Sequence, residues 1–217
     1  MTEADRLVEA TLRERLGRAR PGDGVLGEEY GASGAGGRRW IVDPIDGTRN
    51  YARGVPVWAT LVALEEEGTV RVGVVSAPAL GRRWWAARGG GAFALGEPIR
   101  VSGVGRVEDA VLCFALEQPL PELARRCWHP RAFGDFWAHM LVAEGAVDGA
   151  IDAVGVSVWD LAAVQVVVEE AGGRFTDAAG AARPDGGTGI SSNGLLHDEL
   201  LAAAAGAAGA TRGATTS

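Results

Sequence analysis

The stretch Trp40-Ile41-Val42-Asp43-Pro44-Ile45-Asp46-Gly47-Thr48 constrains this chain more than any other. Trp40 to Val42 is an apolar, β-branched run of strand type. Pro44 lacks the N–H that a sheet ladder needs, so the strand is expected to stop at Asp43 and the chain to turn there. Asp43 and Asp46, three apart in a loop held by a proline, can converge on one point, and Gly47-Thr48 offers backbone N–H groups where a short helical turn can begin. Two fixed carboxylates beside such amides suit a hard cation and the phosphate it polarises. The same residues also make an ordinary turn, since Asp, Pro and Gly each favour turns for backbone reasons of their own. The rest of the chain decides between the two.

Length and charge narrow the field. At 217 residues the chain can form one domain with a sizeable core, and 47% apolar with 23% charged residues is the balance of a soluble globular protein. A net charge of −7 argues against nucleic acid as a partner. All 21 basic residues are arginine, which excludes a Schiff-base or P-loop lysine. Cys113 and Cys127 show neither metal-type spacing nor a disulfide framework, consistent with a reducing, cytoplasmic setting. No apolar run reaches membrane-spanning length and the N-terminus has no basic-then-apolar leader pattern, so no membrane partner is expected.

Along the chain, Met1 to Arg20 predicts a helix with Thr2 as N-cap and Leu7, Val8, Leu12 and Leu16 on one stripe. A short segment, Val25 to Tyr30, and a glycine-rich loop lead into the central stretch. Beyond it, Val57 to Leu64 and Thr69 to Ala77 read as a hairpin, with Trp84 to Ala87 and Ile99 to Ser102 as further strands of the same sheet. Next come a strand over Ala110 to Leu116, a short helix over Pro119 to Trp128, a helix opened by Gly134 and closed by Gly145, and a strand over Ala146 to Ile151. The clearest helix starts at Val158 or Trp159, with Leu161, Val164, Val168 and Ala171 on one face, and stops at Gly172-Gly173. Arg174 to Thr176 and Ile190 to Ser192 are short strands and Leu195 to Ala205 a terminal helix. A single domain over residues 1–205 is therefore expected, followed by a small, polar, disordered tail over 206–217.

Asp160 opens that clearest helix. Capping of orphan N–H groups explains most first-turn aspartates, and solvation explains most pairs such as Glu28-Glu29. Yet Glu28, Asp43, Asp46 and Asp160 all lie at ends of elements, where a rigid scaffold presents chemistry. Four carboxylates brought together repel unless cations neutralise them, and oxygen-only ligation selects Mg2+, Mn2+ or Ca2+ over zinc. His129, His139 and His197 are scattered and read as structural.

Gly27-Glu28-Glu29, the stretch from Trp40 to Thr48, and Trp159-Asp160-Leu161-Ala162-Ala163 running on to Glu170-Ala171-Gly172-Gly173 together resemble the inositol-monophosphatase-like, metal-dependent phosphatase superfamily. The resemblance covers Thr2 to about Leu201. Within that superfamily, Val55 to Thr60, Ser76 to Ala87 and Gly134-Asp135-Phe136-Trp137 look most like histidinol-phosphate phosphatases. It implies an α+β fold, a layered αβαβα sandwich lacking the usual N-terminal helices, and Mg2+-dependent hydrolysis of a small phosphate monoester. Carried over by motif, Glu28, Asp43 and the Ile45 carbonyl would hold one Mg2+, and Asp43, Asp46 and Asp160 another, with the ions roughly 3.5–4 Å apart. Gly47 and Thr48 would bind phosphate through backbone N–H groups. Thr48 and Glu28 would orient the attacking water, near which Asp5 matches a family aspartate. Asp46, Asp135, Asp152 and Asp160 would meet the rest of the substrate.

Two features depart from the family pattern. Relatives usually carry one or more helices before the segment matching Thr2-Glu3-Ala4-Asp5, and often a glutamate where this chain has Ala153, with Asp152 one place earlier. The resemblance makes histidinol phosphate the expected substrate, with Asp135 and Asp152 facing its amine or imidazolium. Inositol phosphate or another sugar phosphate is the alternative, and an inactive metal-binding remnant is the alternative of another class. Family members are often dimers, so a homodimer is compatible with the sequence.

Overall fold

The structure, a computed structural model, describes residues 2–115, 122–152 and 155–213, with side chains through residue 205. Strands β1 (Gly24–Gly27), β2 (Gly31–Ser33), β3 (Arg38–Asp46), β4 (Ala59–Glu66), β5 (Thr69–Ala77), β6 (Arg82–Ala87), β7 (Gly91–Ala94) and β8 (Glu97–Pro98) form one sheet in the order β2-β1-β3-β4-β5-β6-β7-β8. A second sheet runs β10-β9-β11-β13-β12, built from β9 (Val111–Phe114), β10 (His129–Arg131), β11 (Gly149–Asp152), β12 (Arg174–Thr176) and β13 (Gly189–Ser192). Helix α1 (Glu3–Ala19) packs on β3, and α2 (Thr48–Ala52) follows that strand. Helices α4 (Asp135–Ala143) and α5 (Val158–Glu170) lie between the sheets, while α3 (Glu122–Arg126) and α6 (His197–Gly213) cover the far side of the second sheet. The predicted αβαβα layering is present. One apolar core lies between the first sheet and the central helices, around Trp84, Phe136 and Met140; another lies under α6, around Leu112, Ile190 and Leu200.

The central stretch departs from expectation in a way that makes the site. β3 does not stop at Asp43. It continues to Asp46, with Asp43 paired to Leu61 and Asp46 to Ala59 and a register shift between them. Two residues, Pro44 and Ile45, thus oppose the single Thr60, whose hydroxyl donates to the Pro44 carbonyl at 2.8 Å. Residues three apart on a regular strand face opposite ways; the extra residue of this bulge returns Asp46 to the face that Asp43 occupies. The turn comes at Gly47, whose φ of +80° favours glycine and which caps α2.

Other elements differ for reasons of packing. α5 is buried all round from Leu161 to Val168 instead of on one face, because it is the middle layer between two sheets. On α1 the stripe is displaced: Leu7 is 67% exposed, whereas Asp5 and Glu9 are buried. Ile99 to Ser102 is not a strand; the Ile99 and Val101 N–H groups donate to Ala92 and Ala171 carbonyls as single tethers. β2, β7, β8 and β10 form where the sequence predicts no strand, β2 within the glycine-rich loop. The expected strand end at Leu116, the helix start at Pro119 and the Ala153 position lie outside the described residues, as does 214–217 of the expected tail, while α6 runs past Ala205 to Gly213.

Candidate active site

Asp43, Asp46 and Asp160 each place a carboxylate oxygen so that all three atoms lie within 4.8 Å of one another. Asp43 and Asp46 arrive from the bulged end of β3, and Asp160 from the first turn of α5. Each also has one oxygen tied by a main-chain amide. The Ile45 N–H donates to Asp43 Oδ1 at 2.9 Å, the Phe136 N–H to Asp46 Oδ2 at 2.5 Å, and the Ser157 N–H to Asp160 Oδ2 at 2.6 Å. Asp160 thus caps α5 and also stands in the cluster.

The cluster is electrostatically frustrated by itself. Burial pushes Asp43 well above the ordinary carboxylate range, followed by the charges of Asp46, Asp160 and Glu28. Burial also raises Asp46 well above it, helped by Asp135 and Asp160 and opposed by the Phe136 amide. Asp160 is raised by burial as well. Three preorganised, charge-starved oxygens with no nitrogen or sulfur donor among them fit a hard dication, so this is a site that can hold a metal.

Around the cluster is a cavity of about 630 Å³, lined among others by Glu28, Gly47, Thr48, Asp135, His139 and Asp152. Glu28, on the turn between β1 and β2, is exposed and stands outside the closest trio; burial of its carboxyl and the charge of Asp160 raise it. Asp135 adopts φ +55°, a left-handed conformation that is uncommon for a side chain and concentrates at functional positions. Its carboxyl is raised by burial and then by Asp152 and Asp160. Asp5 is buried at 1% exposure: its Oδ2 accepts the Thr2 N–H at 2.5 Å, and its Oδ1 lies 3.3 Å from the Thr48 hydroxyl. That hydroxyl is also 2.8 Å from the Ile45 carbonyl, and its single hydrogen can serve only one of the two. Of the residues singled out in the sequence, Glu28, Asp46, Gly47, Thr48, Asp135, Asp152 and Asp160 line this cavity, whereas Asp5, Asp43 and Ile45 lie behind its wall.

Residues 1–210 match the profile of the inositol monophosphatase family. The chain belongs to this family. It is 56% identical to a histidinol-phosphatase of Mycobacterium tuberculosis over 93% of this chain and 83% of that protein. A histidinol-phosphatase of Streptomyces coelicolor is 48% identical, over 93% of this chain and 82% of that protein. Among solved structures, the inositol monophosphatase of Thermotoga maritima superposes with a TM-score of 0.88 at 33% identity, covering 96% of this chain and 84% of that one.

Seen in the fold of this family, one residue that motif reading passed over stands out. Glu9 on α1 is wholly buried, with Oε2 accepting the Glu29 N–H at 2.7 Å, Oε1 the Tyr30 N–H at 3.2 Å and the Arg13 Nε–H at 2.8 Å. Arg13 goes on to the Gly31 carbonyl and to Ser33 Oγ, so one carboxylate and one guanidinium hold the turn that carries Glu28. Gly27 leaves the room: a Cβ there would lie 2.1 Å from Glu9 Oε1. An acidic residue on the buried face of a helix was the available signal, masked because Glu9 also fits a solvated helix surface.

Proposed function

We propose that this chain is a Mg2+-dependent phosphatase acting on histidinol phosphate. That it is a phosphoric monoester hydrolase of the inositol monophosphatase family follows from the family match and its relatives. The observation that supports the rest is the trio of amide-tethered carboxylates opening on an acidic cavity. Asp43, Asp46 and Asp160 would hold a dication, and Glu28, Asp43 and the Ile45 carbonyl a second. Bound there, Mg2+ would supply charge neutralisation for the phosphoryl group and the leaving oxygen. The protein's own part is positional. The first-turn N–H groups of α2, which lack intrahelical acceptors, face the phosphate at Gly47 and Thr48. Thr48, backed by Asp5, and Glu28 orient a water in line with the scissile bond, with Asp5 or Glu28 taking up its proton.

The substrate reading rests on the two relatives named above and on charge. Asp135 and Asp152 line the cavity beyond the trio. They complement an amine or imidazolium, which inositol phosphate lacks. A reducing cytoplasm suits two cysteines that are both buried and free, and a homodimer is compatible with this reading.

Phosphate release from a panel of monoesters with Mg2+ and with excess chelator tests this. We expect activity only with the metal and the highest kcat/KM for histidinol phosphate. Equal activity in chelator would refute the metal reading, and a higher kcat/KM for inositol 1-phosphate would refute the substrate while leaving the hydrolase intact.

A further inference from the structure

α4 sends two side chains one turn apart into the cavity, Asp135 and His139. His139 is 1% exposed. Its Nε2 lies 3.1 Å from Asp152 Oδ2 on β11 and its Nδ1 lies 2.7 Å from Ser191 Oγ on β13. With Asp152 accepting from Nε2–H, the Nδ1 side faces the Ser191 hydroxyl, so Ser191, His139 and Asp152 form one hydrogen-bonded chain across three elements. Asp152 itself is 7% exposed, ends β11, and has no hydrogen-bond partner on its other oxygen among the described residues.

We propose that His139 is a positioning residue for substrate choice: it holds Asp152 so that the unpartnered oxygen, with Asp135, faces the part of the substrate remote from phosphate and selects a monoester whose alcohol carries a cation. This rests on the phosphatase reading above. A tie between α4 and the second sheet needs no charge, and the packing of α4 on β11 and β13 already provides one. A buried carboxylate whose second oxygen has no partner among the described residues, set near Asp46, Asp135 and Asp160, gains from a cationic ligand far more than from being a tie. The imidazole acts on it as the outer hydrogen-bond partner of a binding group, fixing direction and leaving the outward oxygen free.

Steady-state kinetics of the Mg2+-loaded full chain with histidinol phosphate and with inositol 1-phosphate test this, alongside calorimetric binding of phosphate-free histidinol. In His139→Phe we expect kcat/KM for histidinol phosphate to fall about 10- to 100-fold, mainly through KM, from loss of a hydrogen bond to a charged group. The value for inositol 1-phosphate should stay within about twofold, and histidinol binding should weaken in parallel with the histidinol phosphate value. His139→Gln, which keeps a donor, should recover part of the loss. Asp152→Asn, nearly isosteric, should show the same selective loss, and carries the test if His139→Phe does not fold. Equal losses on both substrates, the mark of a merely structural residue, would overturn the proposal. A wild-type protein that prefers histidinol phosphate while His139→Phe and Asp152→Asn keep that preference would overturn it too, with the substrate reading standing. A wild type without the preference would overturn the substrate reading itself, and this selectivity with it.

Discussion

At the scale of single residues the recurrent device is a carboxylate with one oxygen held by a main-chain amide. Asp43, Asp46, Asp160 and Asp5 all follow it. An amide donor fixes the rotamer without adding a competing charge, so the oxygens are in place before any ligand arrives. Glu9 extends the device one layer outward, since what it fixes is the backbone from which Glu28 projects. Glu9→Ala strands two amides and Arg13 Nε in the interior. We expect a loss of about 2–4 kcal/mol in urea unfolding. Glu9→Gln, which keeps one acceptor but loses the charge, should lose less. A Glu9→Ala protein as stable as wild type would show that the turn holds itself.

At the scale of elements, the bulge and α4 do most of the assembly. The sequence marks Asp43, Asp46 and Gly47 plainly, because Pro44 and Gly47 punctuate the chain. It does not show that β3 runs on past Pro44, since a bulge depends on how Thr60 on the neighbouring strand meets it. Nor does it show that the N-terminal amide of α4 closes on Asp46 across 90 residues of chain. Local propensity found the ends of α5 and β12, where Gly172-Gly173 stops the helix, but missed that α5 is buried all round, because burial is a property of the layer and not of the helix. The histidines, read as structural from their scatter, sort by neighbour: His139 joins the cavity, whereas His197 ties α6 to the second sheet. His197 lies 2.9 Å from Thr176 Oγ1 and 2.9 Å from Ser192 Oγ, the latter already accepting the Gly194 N–H. Burial, and then Arg174, pushes His197 down to about 4. The unfolded imidazole protonates near pH 6.5. Between these values the unfolded chain binds a proton that the folded chain refuses, so stability is full above pH 6.5 and is lost as pH falls toward 4. His197→Gln removes that titration. Its stability, measured by urea unfolding between pH 7 and 4.5, should fall less steeply than that of wild type, by up to about 1.4 kcal/mol per pH unit. Parallel curves would show that His197 does not titrate differently on folding.

For the whole molecule, the carboxylate trio joins two layers: Asp43 and Asp46 belong to the first sheet and Asp160 to the central helix layer. Without a cation this junction is repulsive: Asp43 is raised well above the ordinary carboxylate range by burial and then by the charges of Asp46, Asp160 and Glu28. A function-bearing cluster that weakens the fold is what a stability–activity trade-off looks like at atomic scale. It makes a crossing prediction. Asn at position 43 mimics the protonated acid: its Oδ1 can still accept the Ile45 N–H and its amide can donate toward Asp160. In chelator, Asp43→Asn should therefore melt at or above wild type, by a few degrees if about 1 kcal/mol of repulsion is relieved. With Mg2+ at about 100 times its Kd, binding to the folded state alone should add about 2.7 kcal/mol to wild type, some 5–10 °C in Tm, and almost nothing to the variant, whose amide is a poor ligand for a hard dication. The order of the two melting curves should thus reverse on adding metal. A variant that melts below wild type in chelator and gains as much from Mg2+ would mean that Asp43 serves the fold and not the ion.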